Sequence, residues 1–329
     1  MQFKALVVSE GAEGQFVQQV SSRQLSELPT GDVLVRVRYS SLNYKDALSA
    51  SGNRGVTRHY PHTPGIDAAG VVEQSTAEEF SVGDEVIVTG YDLGMNTSGG
   101  FSQYIRVPSA WLIRRPKGLS LRESMLLGTA GLTAALCVEK LEQSGLNKSA
   151  GPVLVTGATG GVGSIAVALL HRLGYSVAAS TGKHEQGEFL RQLGAQQIVP
   201  RHELEEGSDK PMLKERWAGA VDTVGGEILF NVVKSLRYGA SVACCGLTAG
   251  VGFKANVLPF ILRGVNLLGV DSVELPLVVK ASMWDKLSLQ WKMENLDGLA
   301  SEVSLEQLPE AIGQMLAGKL VGRLLVRID

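Results

Sequence analysis

Apolar and polar residues alternate along this chain with two different periods, and the change of period divides it into three stretches. Up to about residue 125 the apolar runs are short, rich in β-branched residues and broken by glycine and proline, as in DVLVRVRYSSLN, GIDAAGVV, GDEVIV and FSQYIRVP. That pattern predicts a mostly antiparallel, partly open β domain. The segment LRESMLLGTAGLTAALCVEKLEQSGL then spaces its apolar residues as a helix does. From Pro152 strand-like and helix-like runs alternate through EFLRQLGAQQIV, AGAVDTVG, ILFNVVKSL and GASVACCGL, which predicts a doubly wound parallel sheet. Residues 268–329 return to mixed helix and strand and end in LVGRLLVRID, a strand able to rejoin the first domain. The expected organisation is an α/β chain in which residues 126–267 form a nucleotide domain inserted between 1–125 and 268–329, the two parts of a split β domain.

Within PVLVTGATGGVGSIAVALLHRLGYSVAASTGK, Val153 to Val155 read as a strand buried on both faces, and Gly157, Gly160 and Gly163 follow at three-residue intervals. A helix should open near Gly161 and a second strand run from Tyr175 to Ala179. Glycines there let a pyrophosphate approach the amides of the helix start, where the aligned peptide dipoles present a partial positive charge. The spacing departs from G-x-G-x-x-G, so the strand-helix-strand context rather than the glycines carries the assignment. An acidic residue at the end of the second strand would repel a ribose 2′-phosphate. Ser180, Thr181, Gly182 and Lys183 stand there instead, with His184 next, and NADPH is the expected cofactor.

Composition removes other classes. A chain of 329 residues with 44% hydrophobic and 19% charged positions is of ordinary globular make-up and long enough for two domains. A net charge of −2 offers no general basic field for nucleic acid or an anionic membrane. No uninterrupted apolar run approaches about 18 residues, and MQFKALVVSE reads as a strand, so a cytoplasmic location is expected. Three cysteines cannot make a conventional disulfide framework; Cys137 falls in a helical core segment, Cys244 and Cys245 are adjacent, and all three are expected to be free thiols.

The motifs SSLNYKDAL at 40–48, PGIDAAGVV at 64–72, VGDEV at 82–86, GTAGLTA at 128–134 and TGATGGVG at 156–163 resemble those of the medium-chain dehydrogenase/reductase superfamily over essentially the whole chain. The resemblance implies a GroES-like β domain joined to a Rossmann domain. SGG at 98–100, VDTVGG at 221–226, LPFILRGVNLLGVDS at 258–272 and GRLLV at 322–326 resemble the zinc-free quinone oxidoreductase branch, and most closely its acrylyl-CoA reductase group. Where zinc alcohol dehydrogenases of the superfamily carry Gly-His-Glu, this chain has Gly65, Ile66 and Asp67. Its cysteines lack paired zinc-site spacing and its five histidines form no ligand cluster, so no metal is expected.

By the same resemblance Tyr44 lies beside the nicotinamide, where a phenol can donate a proton or merely pack against the cofactor. Asn43 orients the loop or the nicotinamide amide. Asp67 is either a relay acid or a backbone cap within a glycine turn, and Lys45 and Asp46 can pair with each other on the surface. The resemblance places Thr159, Gly160, Gly161 and Val162 at the pyrophosphate, Thr181, Gly182, Lys183 and Arg201 at the adenosine phosphate, and Thr223, Leu247, Ile261, Ser272 and Arg323 around ribose and nicotinamide. An arginine in the apolar run around 323 needs a partner, met by a cofactor amide, a phosphate or a carboxylate.

The implied activity is reduction of acrylyl-CoA, whose phosphates Arg54, Arg58 and His59 could meet unless they are only solvated loop residues. The alternatives are a quinone or general enone reductase and an NADPH-binding protein with little turnover. Trp217, Trp284, Trp291, Met283 and Met293 fit core or interface. The apolar segment 257–270 is cut by Arg263 and reads as a sheet edge, where relatives pair into a homodimer.

Overall fold

A computed structural model describes residues 1–294 and 296–328; Asn295 and Asp329, both in the return segment expected at 268–329, lie outside the described residues. The chain forms two compact units, Met1–Thr129 with Val273–Asp329, and Ala130–Ser272. These boundaries fall a few residues beyond those expected at 126 and 268. At the first of them the apolar helical pattern runs on through a break that it does not reveal.

In the first unit a sheet is ordered Ala300–Ser304, Arg323–Arg327, Val33–Leu42, Asp67–Ser75, Glu85–Thr89, Ile113–Arg114, and Tyr104–Val107 also pairs with the first half of Val33–Leu42. All pairings are antiparallel except that of Ala300–Ser304 with Arg323–Arg327. Two register shifts in Val33–Leu42, at Leu34/Val35 and Val37/Tyr39, let one strand serve three neighbours. Gln2–Glu10 and Phe16–Gln24 add a two-stranded ribbon. Leu6, Val35, Val37, Leu42, Phe101, Ile105, Leu308, Ile312 and Val326 form one buried core, against which helices Tyr44–Ala50 and Leu308–Leu316 pack.

The second unit is a six-stranded, all-parallel sheet ordered Gln197–Pro200, Val177–Thr181, Val153–Val155, Gly219–Asp222, Ser241–Cys244, Asn266–Gly269. Counted along the chain this is the order 3-2-1-4-5-6 of the Rossmann fold, which reverses direction between Val153–Val155 and Gly219–Asp222. Residues 153–155 are fully buried because helices cover both faces of such a sheet. Trp217, Trp284, Trp291, Met283 and Met293 are buried in the units that contain them.

The predicted continuous helix after residue 120 needs correction. Leu121–Gln143 is interrupted at Gly128, whose φ of 52° and ψ of −155° are not helical. By length and composition this helix could cross a membrane, yet 89% of its apolar window is buried within the protein.

Candidate functional site

In the second unit the helix Gly161–Arg172 begins at Gly160, whose backbone is extended and which offers no side chain to cap the first amides. Unsatisfied amides at a helix start form an anion site. Gly157 has a φ of 56°, the left-handed region in which glycine is unstrained. A Cβ on Gly163 would collide with the Gly157 carbonyl oxygen, so the third glycine sets the close approach of helix to turn. Thr159, Gly160, Gly161 and Val162 thus present main chain to a phosphate, and the residues fit a dinucleotide.

Beside this turn Thr159 Oγ1 lies 3.2 Å from Thr181 Oγ1, which accepts the Lys183 amide at 3.0 Å. In the parallel register Thr181 stands opposite Pro200, so the loops that follow are neighbours. A Cβ on Gly182 would come within 3.4 Å of Arg201 Cδ. The expected phosphate group of Thr181, Gly182, Lys183 and Arg201 is therefore brought together. Arg201 also pairs with Glu205 at 3.1 Å, both about half exposed. Burial lowers the Lys183 pKa, which Glu185 partly offsets.

At the switch point Asp222, fully buried, accepts Thr156 Oγ1 at 2.7 Å and the Gly225 amide at 2.7 Å. Thr223 donates its amide to Thr156 Oγ1 and its hydroxyl to the Thr156 carbonyl, and Gly246 runs against its backbone. Burial raises the Asp222 pKa while these donors pull it down. In the sequence this aspartate falls within the VDTVGG motif, which carries the resemblance without giving Asp222 a role. Leu247 is about half exposed and Ile261 is exposed on the short helix Leu258–Arg263, while Ser272 is buried and accepts a hydrogen bond from Thr133 at 2.7 Å. Cys137, Cys244 and Cys245 are free, and a hydrogen bond to Cys245 followed by burial pushes the Cys137 thiol up.

In the first unit a second polar cluster lies at the start of helix Tyr44–Ala50. Tyr44 is its first residue and is partly exposed, and Asn43 is its N-cap. Asp46, three residues on, is buried: Oδ2 accepts the Asn43 amide at 2.8 Å, and Oδ1 accepts the Gly65 and Ile66 amides at 3.1 and 2.8 Å. The expected surface pair with Lys45 is not formed, because the helix turns Asp46 inward onto these donors. Burial first, and then the charge of Asp67, raises the Asp46 pKa to about 7 against the pull of its hydrogen bonds.

Asp67 is also buried, and its role as a cap within its own glycine turn is corrected. It opens the strand Asp67–Ser75 and accepts from Ser41 Oγ at 2.6 Å, Asn43 Nδ2 at 2.8 Å and Thr129 Oγ1 at 2.6 Å, together with the Thr129 amide. That amide is released by the break at Gly128, so Asp67 satisfies from a distance a donor that an unbroken helix would have used internally. A Cβ on Gly128 would lie 2.5 Å from Asp67 Oδ2 and 2.6 Å from Ser41 Oγ.

Arg323 was expected to face a cofactor group or a carboxylate. Within the protein Nε donates to the Leu126 carbonyl at 2.9 Å and Nη1 to the Leu42 carbonyl and Asn43 Oδ1, while Nη2 has no hydrogen-bond partner among the described residues. Its strand carries it inward, beside the Leu126 carbonyl left open where the helix breaks. Burial lowers its pKa, and the charges of Asp67 and Asp46 oppose that shift. Asn43 is held at both ends of its amide, by Asp67 and Arg323. Of the remaining loop candidates, Arg54 pairs with Glu10 at 2.6 Å and lies over the rings of Phe16 and Tyr60, whereas Arg58 and His59 are exposed.

Residues 29–117 match the model of the alcohol dehydrogenase GroES-like domain and residues 161–288 that of the zinc-binding dehydrogenase family. Acrylyl-CoA reductase AcuI of Ruegeria pomeroyi is 46% identical over 328 residues, covering 99% of each chain. Putative quinone oxidoreductase YhfP of Bacillus subtilis is 46% identical over 327 residues, also 99% of each, and its crystal structure with NAD bound superposes with a TM-score of 0.96. The yhdH oxidoreductase of Salmonella enterica, solved in complex with NADP, is 44% identical with a TM-score of 0.96 and full coverage of both chains. The chain belongs to the medium-chain dehydrogenase/reductase family, in its quinone oxidoreductase branch, and is an oxidoreductase. Among the described residues no group of three or more His, Cys, Asp or Glu side chains is placed to hold a metal ion.

Proposed function

We propose that this chain is a zinc-independent, NADPH-dependent reductase of the cytoplasm that saturates the activated double bond of an α,β-unsaturated acyl thioester, converting acrylyl-CoA to propanoyl-CoA. The observation that carries the reading is the uncapped start of helix Gly161–Arg172 with Thr181, Lys183 and Arg201 gathered at the neighbouring strand ends. Main-chain amides suit a pyrophosphate, and a lysine and an arginine suit one further phosphate. The choice of thioester rests on the 46% identity with an acrylyl-CoA reductase.

Bound NADPH supplies a hydride for the β-carbon of the substrate. Charge then gathers on the carbonyl oxygen, where hydrogen-bond donors suffice and a Lewis acid is not required. Tyr44, the exposed first residue of its helix, donates the proton to the α-carbon. Asn43, Asp67 and Arg323 act as positioning residues: their polar groups are engaged with one another and with main chain, and they fix the loop that carries Tyr44. Zinc independence rests on the donor set, since the oxygens of Asp67 are already filled by Ser41, Asn43 and Thr129.

A second reading, NADPH-dependent reduction of quinones or enones, is favoured by the name of the B. subtilis relative and by the engagement of Arg54 with Glu10, which leaves that arginine less able to meet CoA phosphates. Turnover of acrylyl-CoA, free acrylate and benzoquinone with NADPH decides. Acrylyl-CoA should have the highest kcat/KM; a higher value for the quinone removes the first reading, and binding of NADPH with no turnover of any of the three leaves a cofactor-binding protein.

A further inference from the structure

We propose that His184 and His202 are specificity-determining residues which, with Lys183 and Arg201, form the pocket for the adenosine 2′-phosphate. The inference rests on the NADPH reading above and extends it to two side chains with no role so far. The strands Val177–Thr181 and Gln197–Pro200 end level with each other, Thr181 opposite Pro200. Each runs into a 3₁₀ turn, His184–Gln186 and Arg201–Leu204. Each loop therefore delivers a cation followed at once by a histidine, Lys183-His184 and Arg201-His202. The two rings meet with centroids 6.3 Å apart and planes inclined at 57°, and both residues are exposed.

The chemistry gives such a pair something to do. A phosphate monoester carries close to two negative charges at neutral pH and three strong acceptor oxygens. Arg201 shares its guanidinium with Glu205, and burial disfavours the charged form of Lys183. Glu185 follows His184 directly, and Glu203 follows His202 while pairing with Arg216 at 3.1 Å, so the loops carry acidic groups as well as basic ones. Imidazole N–H groups supply further donors whether neutral or charged, and a protonated ring adds attraction for the dianion. Chains of near-identical overall fold have been solved with NADP and with NAD, which leaves the choice between cofactors to side chains of this kind.

The test is calorimetric titration of the full chain with 2′,5′-ADP, 3′,5′-ADP and 5′-AMP near pH 6.5, repeated with His184→Gln, His202→Gln, the double variant and Lys183→Ala. These ligands separate the 2′-phosphate of NADPH from the 3′-phosphate of a CoA thioester. Wild type should bind 2′,5′-ADP tightest. The double histidine variant should lose about tenfold for that ligand, the size of one charge-assisted hydrogen bond, and keep its affinity for 5′-AMP. The kcat/KM ratio of NADPH to NADH should fall in step. If the double variant matches wild type while Lys183→Ala loses 2′,5′-ADP, the histidines are excluded and the NADPH reading stands. If wild type binds 2′,5′-ADP no better than 5′-AMP, both fall, and tighter binding of 3′,5′-ADP would assign the cluster to the thioester instead.

Discussion

Asp46 is a carboxyl group held where its charged form is disfavoured. Three main-chain N–H groups point at its oxygens, the arrangement suited to a carboxylate, yet complete burial and the neighbouring Asp67 raise its pKa to about 7. An unfolded aspartate titrates near 4, so the folded state binds this proton more tightly. The stabilisation is fully present below about pH 4 and is lost as pH rises through about 7, a swing of up to about 4 kcal/mol. Thermal unfolding from pH 5 to 8 should therefore show Tm falling with pH, and Asp46→Asn should flatten that dependence; an unchanged slope would show that Asp46 does not titrate in this range. Tyr44 carries a different expectation. Tyr44→Phe should lower kcat about 10²-fold or more with little effect on NADPH affinity, because it removes a proton donor and keeps the ring; stopped-flow reduction at an unchanged rate would exclude the phenol as the acid. Tyr44 is legible in the sequence through its motif, but the inward turn of Asp46 is not. A lysine-aspartate pair on a seven-residue helix reads as surface, and only the Gly65–Ile66 amides, some twenty residues away, turn the aspartate inward.

Elements are legible where one apolar period runs uninterrupted and hidden where a glycine breaks it. The strand, turn and helix around Gly157–Gly163 follow from β-branched residues, glycine spacing and the apolar face of residues 165–170, and helix Gly161–Arg172 opens where the glycines place it. The interruption at Gly128 was not legible, because MLLGTAGLTAAL keeps a helical apolar pattern on both sides of it. Its cause lies in tertiary structure. The break frees the Thr129 amide for Asp67 and leaves the Leu126 carbonyl to Arg323, neither near it in sequence. The glycine turn offers a test at this scale. Gly163→Ala sets a methyl group against the Gly157 carbonyl oxygen, which only a shift of helix against turn can relieve. NADPH affinity measured by fluorescence titration should fall at least about tenfold, since main-chain phosphate sites depend on sub-ångström placement of the amides. Retained affinity would mean that the dinucleotide does not lie against this helix start.

For the whole molecule the unanswered feature is the open edge of the six-stranded sheet. Among the described residues Asn266–Gly269 pairs on one side only, with Ser241–Cys244, and Leu267 is 37% exposed. In the preceding segment Val257, Ile261 and Leu262 are each at least 60% exposed, so the edge lies next in sequence to uncovered apolar surface. Soluble proteins shield such edges with charge, proline or bulges, because unpaired N–H and C=O groups beside apolar side chains recruit another chain. Here the apolar residues sit where the charges would be expected. A two-fold axis beside the edge would satisfy both needs, pairing the strand with its own copy and covering the apolar side chains with the same patch. We therefore expect a homodimer, with a sedimentation mass twice that of the chain. Leu267→Lys with Ile261→Lys should shift the mass to that of one chain and lower Tm, because the cation has to be desolvated at the interface. A double variant that keeps the doubled mass would place the contact on another surface, and a wild-type chain that sediments alone at micromolar concentration would leave this edge to some other cover.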